Sequence, residues 1–466
     1  MMTTWEQNRL GDLIETQKGF AFKSSWYTDF GRPIVKVSNF TDNSVDSSGL
    51  VCIPEEIASA YLKYKLKADD VVVQTVGSWP TNPASVVGKC VRIPSAVAGA
   101  LLNQNAVKLS PTKNIDAKFL YYLLRSDDFK SYIISTAQGA ASQAAITLEA
   151  IRAFEFMIPQ LSVQQRIAGT LSAYDELIEK NQRRIRILED MARSLYREWF
   201  VHFRYPSHES VPLVDSPLGQ IPQGWEIDAL GDFAQFKSGF AFKSSSFAAD
   251  GEYRLVTIKN VQDGSFNPES DSLMSELPDK LPPHCILNDG DILLSLTGNV
   301  GRVCLVYDGP FYLNQRVAKL VPNDAKNWAM TYCMFRDPEM RVKLELLSNG
   351  VAQQNLSPVL AAKIVFAQPP KMLCDRFAVL TGPMIQSIVQ LYTSNKNLRR
   401  TRDLLLPRLL SGQVKLATDT PPITSEAHQP RYDEGEFKRM VAKGTQAWAN
   451  VPDSAAWVEN LRGGKE

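Results

Sequence analysis

The chain is poor in the residues from which catalytic and metal centres are usually built. Its four histidines (202, 208, 284, 428) offer no ligand spacing. Its six cysteines (52, 90, 285, 304, 333, 374) contain no CxxC pair, which argues against both a zinc site and a disulfide framework. HExxH, GxSxG, GxxxxGK[S/T] and GxGxxG are all absent. The segment Thr297–Arg302, TGNVGR, reads as a hairpin turn. Asn-Pro occurs at 82–83 and 267–268 without the Pro-Pro-aromatic continuation of an amino-methyltransferase. Asp337, Glu339 and Lys343 read as a solvated helix face rather than a nuclease cluster. No apolar run approaches the ~20 residues of a membrane span, and the opening residues lack the basic-then-apolar pattern of a secretory signal, so the cytoplasm is the expected compartment. A net charge of +1 lacks the basic excess of a protein that holds nucleic acid unaided. The one basic block is residues 371–416, with eight Lys/Arg against two Asp/Glu. These absences point away from an enzyme and toward a binding or scaffold chain.

What is present is a long internal repeat. GFAFKSS occurs at 19–25 and again at 239–245. Leu10-Gly11-Asp12 matches Leu230-Gly231-Asp232, Val37-x-Asn39 matches Ile258-x-Asn260, and LKADDVVVQTVG (66–77) matches LNDGDILLSLTG (287–298). LNQNAVKLSP (102–111) matches LNQRVAKLVP (313–322), and the likeness runs on through Arg125/Arg336 and Gly139/Gly350. Block order is kept and each insertion falls in a loop, as in a duplicated domain. Both copies read as mixed α/β. The runs after the Asp-Gly-type turns and those stopping at Pro111 and Pro322 predict strands. Residues 115–139 and 328–350 carry helical spacing toward a glycine.

A long helix follows each copy. From 163 to about 203, Ile167, Leu171, Tyr174, Ile178, Asn181, Ile185, Leu188, Ala192, Leu195 and Trp199 recur at alternating steps of four and three. That is a heptad seam, roughly 60 Å long at 1.5 Å per residue. A second stripe runs through Phe377, Met384, Ile388, Leu391, Leu398, Leu405 and Leu409, closing at Gly412; Gly382-Pro383 predicts a kink or a late start. Two such seams separated by a globular domain can pair antiparallel. Asn181 within the first either sets register or faces solvent.

These features together resemble the specificity subunit of type I restriction-modification systems. The resemblance spans about residues 8–416. It rests on LGD with GFAF at the start of each half, on Ile158–Phe200 (IPQLSVQQRIAGTLSAYDELIEKNQRRIRILEDMARSLYREWF) as a central conserved region, and on Leu406–Gly412 (LPRLLSG) as a distal one. The motif Pro159, Gln165, Arg166, Ile167 survives in the second half only as Pro370, Asp375, Arg376, Phe377. The resemblance implies an α/β fold of two similar target-recognition domains, separated by long helices that pair as an antiparallel coiled coil. The domains are 1–160 and 206–370, the helices 161–205 and 371–416, and a Pro- and charge-rich linker with a short helical tail fills 417–466. It further implies that each domain reads one half of a split sequence in double-stranded DNA. The helices then set the gap and dock two methyltransferase subunits, which carry S-adenosylmethionine and methylate adenine. Motor-nuclease subunits join for cleavage. This chain itself takes no cofactor or metal and no membrane.

Candidate DNA contacts are polar residues in paired loops. They are Lys23, Ser24 and Ser25 with Lys243, Ser244 and Ser245; Gln138, Ser142 and Gln143 with Asn349, Gln353 and Gln354; and Ser78, Trp79, Thr81 and Asn82 with Asn299 and Arg302. Gln and Asn match adenine, Lys and Arg guanine or phosphate. Residues identical in both copies are poor candidates for base choice, so the GFAFKSS lysines and serines are expected to position DNA. For subunit docking the candidates are Gln165, Arg166, Ile167, Leu171, Ile178, Asn181, Leu188, Leu195, Trp199, Leu391, Leu398, Leu405 and Leu409. Two other classes stay open on sequence alone: a coiled-coil adaptor without DNA binding, and a fused nuclease or methyltransferase with an unrecognised site.

Overall fold

Val71, Val72 and Val73 are β-branched and wholly buried, and they form the strand Val71–Gln74. Its repeat partner, Ile292–Ser295, is buried throughout as well. The computed structural model describes residues 5–80, 86–140, 143–243, 246–248, 250–269, 272–348 and 354–414. They divide into two units, with boundaries at Leu177/Ile178 and Asn397/Leu398, so each unit holds one α/β copy and a stretch of each long helix.

The duplication is visible in the strand order. In the first unit a four-stranded antiparallel sheet has the order Ile14–Lys18, Ala106–Pro111, Val71–Gln74, Cys90–Arg92. In the second the order is Ala234–Ser238, Val317–Pro322, Ile292–Ser295, Val303–Leu305. A second sheet in each unit contains one parallel pair, Arg32–Val35 with Leu101–Leu102 and Tyr253–Val256 with Phe311–Leu313. A two-stranded pairing ties the start of each copy to its end: Glu6–Arg9 with Glu155–Ile158, and Glu226–Ala229 with Val365–Gln368. The turns match too. Asp70 and Asp291 accept the backbone N–H of Lys67 and Asn288, both at 2.8 Å, behind left-handed residues Asp69 and Gly290. Asp70 also meets Lys108 at 3.7 Å, and Asp291 meets Lys319 at 2.7 Å.

GFAF is a turn and an anchor, as the repeat predicts. Phe20 and Phe22 pack edge to face at 5.2 Å, Phe240 and Phe242 at 5.0 Å, with Phe22 and Phe242 buried. The glycine before them is required by contact. A Cβ on Gly19 would stand 2.0 Å from the Asn103 carbonyl oxygen, and one on Gly239 2.3 Å from that of Asn314. Those oxygens belong to backbone and cannot swing away. Gly19→Ala and Gly239→Ala are each expected to cost about 1–3 kcal/mol in denaturant unfolding, with the two values similar because the sites are equivalent.

Three sequence expectations change. Residues 115–139 are two helices, Ala117–Leu123 and Asp127–Thr136, because the Ser126 hydroxyl accepts the Phe129 N–H at 3.2 Å and caps the second. The other copy breaks alike at Asp337, ahead of Pro338, giving Trp328–Phe335 and Pro338–Leu346. The distal helix is continuous over Lys371–Leu410, so it does not start late at Gly382-Pro383. The bond that Pro383 cannot make falls to the carbonyl of Val379, a residue 75 % exposed, on a turn open to water. The central helix runs Leu161–Tyr196 and passes into a π turn, Arg197–Val201.

Within the second unit Asn181 meets Asn395, and the Trp199 and Phe377 rings lie 5.9 Å apart, so the two helices run antiparallel there. Each unit has its own apolar core, reached by the helix stretch it contains: Ile167, Leu171 and Leu409 in the first, Ile185, Leu195, Trp199 and Ile388 in the second.

Candidate nucleic-acid interface

In each unit the loop behind the helix pair folds back onto the strand that begins with the buried run. In the first unit Val76–Gly77 pairs with Ala144–Ala145, Ile146 N–H donates to the Thr75 carbonyl at 2.9 Å, and Gln138 and Ala145 exchange backbone bonds. Gly139 permits the fold-back, with φ +151° and a Cβ position only 2.0 Å from the Gln143 carbonyl oxygen. The Trp79 indole N–H donates to the Ala140 carbonyl at 3.1 Å. Ser78 and Trp79 are thereby brought beside the loop that carries Gln138 and exposed Gln143.

The second unit builds the same junction with other side chains. Leu356 N–H donates to the Leu296 carbonyl at 2.8 Å, Gly298 N–H to the Gln354 carbonyl at 3.0 Å, and the Thr297 hydroxyl to Asn355 Oδ1 at 2.8 Å. Residues 296–302 form a hairpin tip with left-handed glycines at 298 and 301, as TGNVGR predicts. The Ser295 hydroxyl donates to the Asn299 carbonyl, and Asn299 and Gln354 are exposed. Arg302 donates from Nη1 to Gln262 Oε1 at 2.7 Å, which orients its guanidinium within the domain. The scaffold is backbone hydrogen bonding in both units; what differs is Ser78, Trp79, Gln138 and Gln143 in one against Asn299, Arg302 and Gln354 in the other. Accessible amides and an Arg on a fixed backbone are the groups that read base edges.

Among the described GFAFKSS polar residues, Lys23, Ser24, Ser25 and Lys243 take no part in the bonds that build these junctions. Ser24 and Ser25 lie in a short 3-10 turn, Lys23 stands 5.4 Å from the Trp26 ring centre, and Lys243 is exposed after Phe242. Thr81, Asn82, Ser142, Ser244, Ser245, Asn349 and Gln353 lie outside the described residues, as does the tail from 415.

The family model described as "Type I restriction modification DNA specificity domain" matches residues 2–189 and 222–358. The chain belongs to this family. A putative MjaX specificity subunit from Methanocaldococcus jannaschii is 24% identical over 428 residues, covering 89% of this chain and 94% of its own length. The HindI specificity subunit from Haemophilus influenzae is 22% identical over 476 residues, covering 89% and 100%. A crystal structure of a type I restriction-modification S subunit from M. genitalium shares the fold at a TM-score of 0.55, with 18% identity, over 88% of this chain and 96% of that one. The chain is therefore a specificity subunit, a recognition component and not a catalytic one. Neither the adaptor without DNA binding nor the fused enzyme is favoured by that membership.

For a specificity subunit, the seam residues take on a definite place. Ile167, Leu171, Ile178, Asn181, Leu195, Trp199 and Leu409 are buried within the chain, and Leu188, Leu391, Leu398 and Leu405 half-buried. They are spent on the chain's own packing, so any surface the helices offer to a partner is the opposite face, where Gln165 is exposed. Asn181 does not face solvent: its Nδ2 donates to Asn395 Oδ1 at 3.0 Å, both side chains nearly fully buried. The motif around Gln165 also hides a residue that sequence reading passes over. Gln164, 1 % exposed, donates to the Pro159 and Asn114 carbonyls at 2.9 and 3.2 Å and accepts the Asp116 N–H at 2.9 Å. It fastens the helix start to the first domain, and Cys374 occupies the equivalent place with its thiol 3.8 Å from the Pro369 carbonyl. The sequence does carry a signal for it: Gln164 shares a helix face with Ile167 and Leu171.

All six cysteines are buried and free, and burial pushes the Cys90 thiol up to about 12. Among the described residues no three His, Cys, Asp or Glu side chains are placed to hold a metal, and no helix is long and apolar enough to cross a membrane.

Proposed function

We propose that each α/β domain reads one half of a bipartite, asymmetric DNA sequence through its strand-loop junction. Ser78, Trp79, Gln138 and Gln143 serve one half-site, and Asn299, Arg302 and Gln354 the other. The observation that carries this reading is one backbone scaffold bearing two different sets of polar side chains. Two copies of one reader joined covalently recognise two half-sites, as a symmetric dimer does, but the half-sites differ because the side chains do. The paired helices fix the spacing. Two methyltransferase subunits carrying S-adenosylmethionine dock on the assembly and methylate adenine, motor-nuclease subunits join for cleavage, and the complex acts on DNA in the cytoplasm. Near-neutral domains fit a complex whose other subunits contribute phosphate contacts.

The test is an exchange. Replacing residues 8–160 by the corresponding domain of a relative with another target changes one half of the methylated sequence and leaves the other half and the gap intact. Methylation mapping of host DNA reads the result. A change in both halves would sink the modular reading.

A further inference from the structure

The two domains share a scaffold but not a charge distribution. In the first, residues 18–36 and 55–67 carry seven Lys/Arg against three Asp/Glu, while the rest of residues 1–160 carries nine against twelve. The corresponding segments of the second domain, 238–257 and 276–288, carry three against four. The basic excess of the first domain is thus concentrated in two segments.

The structure makes those segments one surface. The Phe20 ring lies 4.5 Å from that of Tyr61 and 5.3 Å from that of Tyr64, and Trp26 lies 5.9 Å from Tyr61. Lysines stand over these rings and their neighbour: Lys36 at 3.9 Å from the Tyr27 centre, Lys63 at 4.8 Å from Tyr64, Lys23 at 5.4 Å from Trp26. None of the three has a carboxylate partner among the described residues. The ring faces hold ammonium groups in place without neutralising them, because a cation over an aromatic face keeps its full charge. Arg32 is the exception: paired with Glu55, it ties together two segments distant in sequence. The second domain has Phe240, Phe242, Tyr253 and Tyr312 at this place but Pro282–Asn288, PPHCILN, where the first has the Tyr61–Lys67 run. Among its described residues no lysine stands over a ring.

We propose that this lysine-aromatic face is a second DNA-contacting surface, confined to the first domain, that grips the phosphate backbone beside the half-site and reads no bases. Charge complementarity selects the occupant: several unpaired, pre-oriented ammonium groups with few acids among them suit a polyanion, and a face without exposed Asn, Gln or Arg clusters supplies no base-edge readers. The inference rests on the reading that both domains bind DNA. It adds that the two half-sites are held unequally, the first with the larger electrostatic share.

The experiment uses the full chain in complex with its methyltransferase subunits, and a duplex carrying the target that methylation mapping identifies. Lys23→Gln, Lys36→Gln and Lys63→Gln are combined, the three lysines that stand over rings. The slope of log affinity against log salt is expected to become shallower by about 2–3, at about 0.9 for each phosphate no longer neutralised. The methylated sequence stays the same, which also shows that the domain is folded. The matching pair in the second domain, Lys243→Gln with Lys280→Gln, changes the slope less than half as much. A triple variant with the parental slope and intact target binding overturns this proposal alone, as does one that sheds its methyltransferase subunits at unchanged slope, the mark of a protein-binding face. A parental complex that binds no duplex overturns both this proposal and the reading beneath it.

Discussion

Asp175→Ala is expected to destabilise the first unit by about 3–5 kcal/mol. Asp175 lies on the central helix and Arg402 on the distal one, 6 % and 4 % exposed at the side chain, and they form an ion pair. The second carboxylate oxygen accepts the Tyr122 hydroxyl at 2.6 Å. Burial, and then the Asp175 charge, push the Tyr122 phenol far above its usual value, so it stays a donor at all ordinary pH. One carboxylate therefore joins both helices to the domain. Without it, among the described residues the guanidinium keeps only exposed Asp403, at 2.8 Å, and the phenol loses its acceptor. Leaving a buried charge unpaired accounts for most of the cost. The pair is not itself a large net gain, since its desolvation offsets much of its attraction. Hence Asp175→Leu with Arg402→Met and Tyr122→Phe recovers most of the stability. Denaturant unfolding combined with amide exchange in the first unit measures both. If Asp175→Ala cost under about 1 kcal/mol, the pair would be solvated and the account wrong.

The second unit ties the central helix to its domain with other residues. Glu189 of the central helix accepts from Arg336 at 2.8 and 2.9 Å and from the Tyr332 hydroxyl at 3.1 Å, and Arg336 continues to Asp263. Arg125 and Tyr121, the repeat partners of Arg336 and Tyr332, stay within the first domain, bonded to each other at 2.9 Å and reaching Asp42. The duplication kept the Tyr-Arg pair, but in the second unit the pair serves the helix carboxylate Glu189, whereas in the first Asp175 is met by Tyr122 and Arg402 instead.

How much of this is legible in the sequence follows from what each feature depends on. The strands are readable because β-branched runs behind Asp-Gly turns are local signals repeated twice. The seam is readable because its apolar positions obey a period. Breaks at Ser126 and Asp337 carry local signals, Arg125-Ser126-Asp127-Asp128 and Arg336-Asp337-Pro338-Glu339, which a reading of the apolar spacing on either side passes over. Pro383 invites over-reading: a proline need not end a helix where the freed carbonyl can turn to water, and that depends on exposure. The polar seam partners Asn395 and Arg402 escape because a search for apolar stripes treats them as gaps. Candidate DNA residues separated by about 60 positions, Trp79 and Gln138 or Asn299 and Gln354, are gathered from sequence only by analogy between the copies. The fold-back of the second loop shows why they belong together. The Tyr61–Lys67 run looks like an amphipathic segment, and its role depends on ring contacts with Phe20 and Trp26, far away in sequence.

Lengthening both helices by one heptad is expected to lengthen the gap between half-sites by about 3 base pairs. Seven residues add about 10.5 Å of helix, and duplex DNA advances about 3.4 Å per base pair. The insertions belong between Asn181 and Ile185 on the central helix and between Leu391 and Asn395 on the distal one. Because the helices run antiparallel there, both additions fall on the same side of the Asn181–Asn395 pair and leave it matched. A heptad preserves the seam, turning the helix face by only about 20°. DNA is less forgiving. Three base pairs rotate one half-site by about 100° relative to the other, at about 10–10.5 base pairs per turn. Methylation at the longer gap is therefore expected to be weak with one added heptad. With three it recovers, because about 31 Å corresponds to about 9–10 base pairs and nearly a full turn. Sequencing of methylated host DNA reads gap and efficiency together. A gap that stays at its parental length in both variants would show that the helices do not set it, while half-sites that stay unchanged would show that the two domains still read as before.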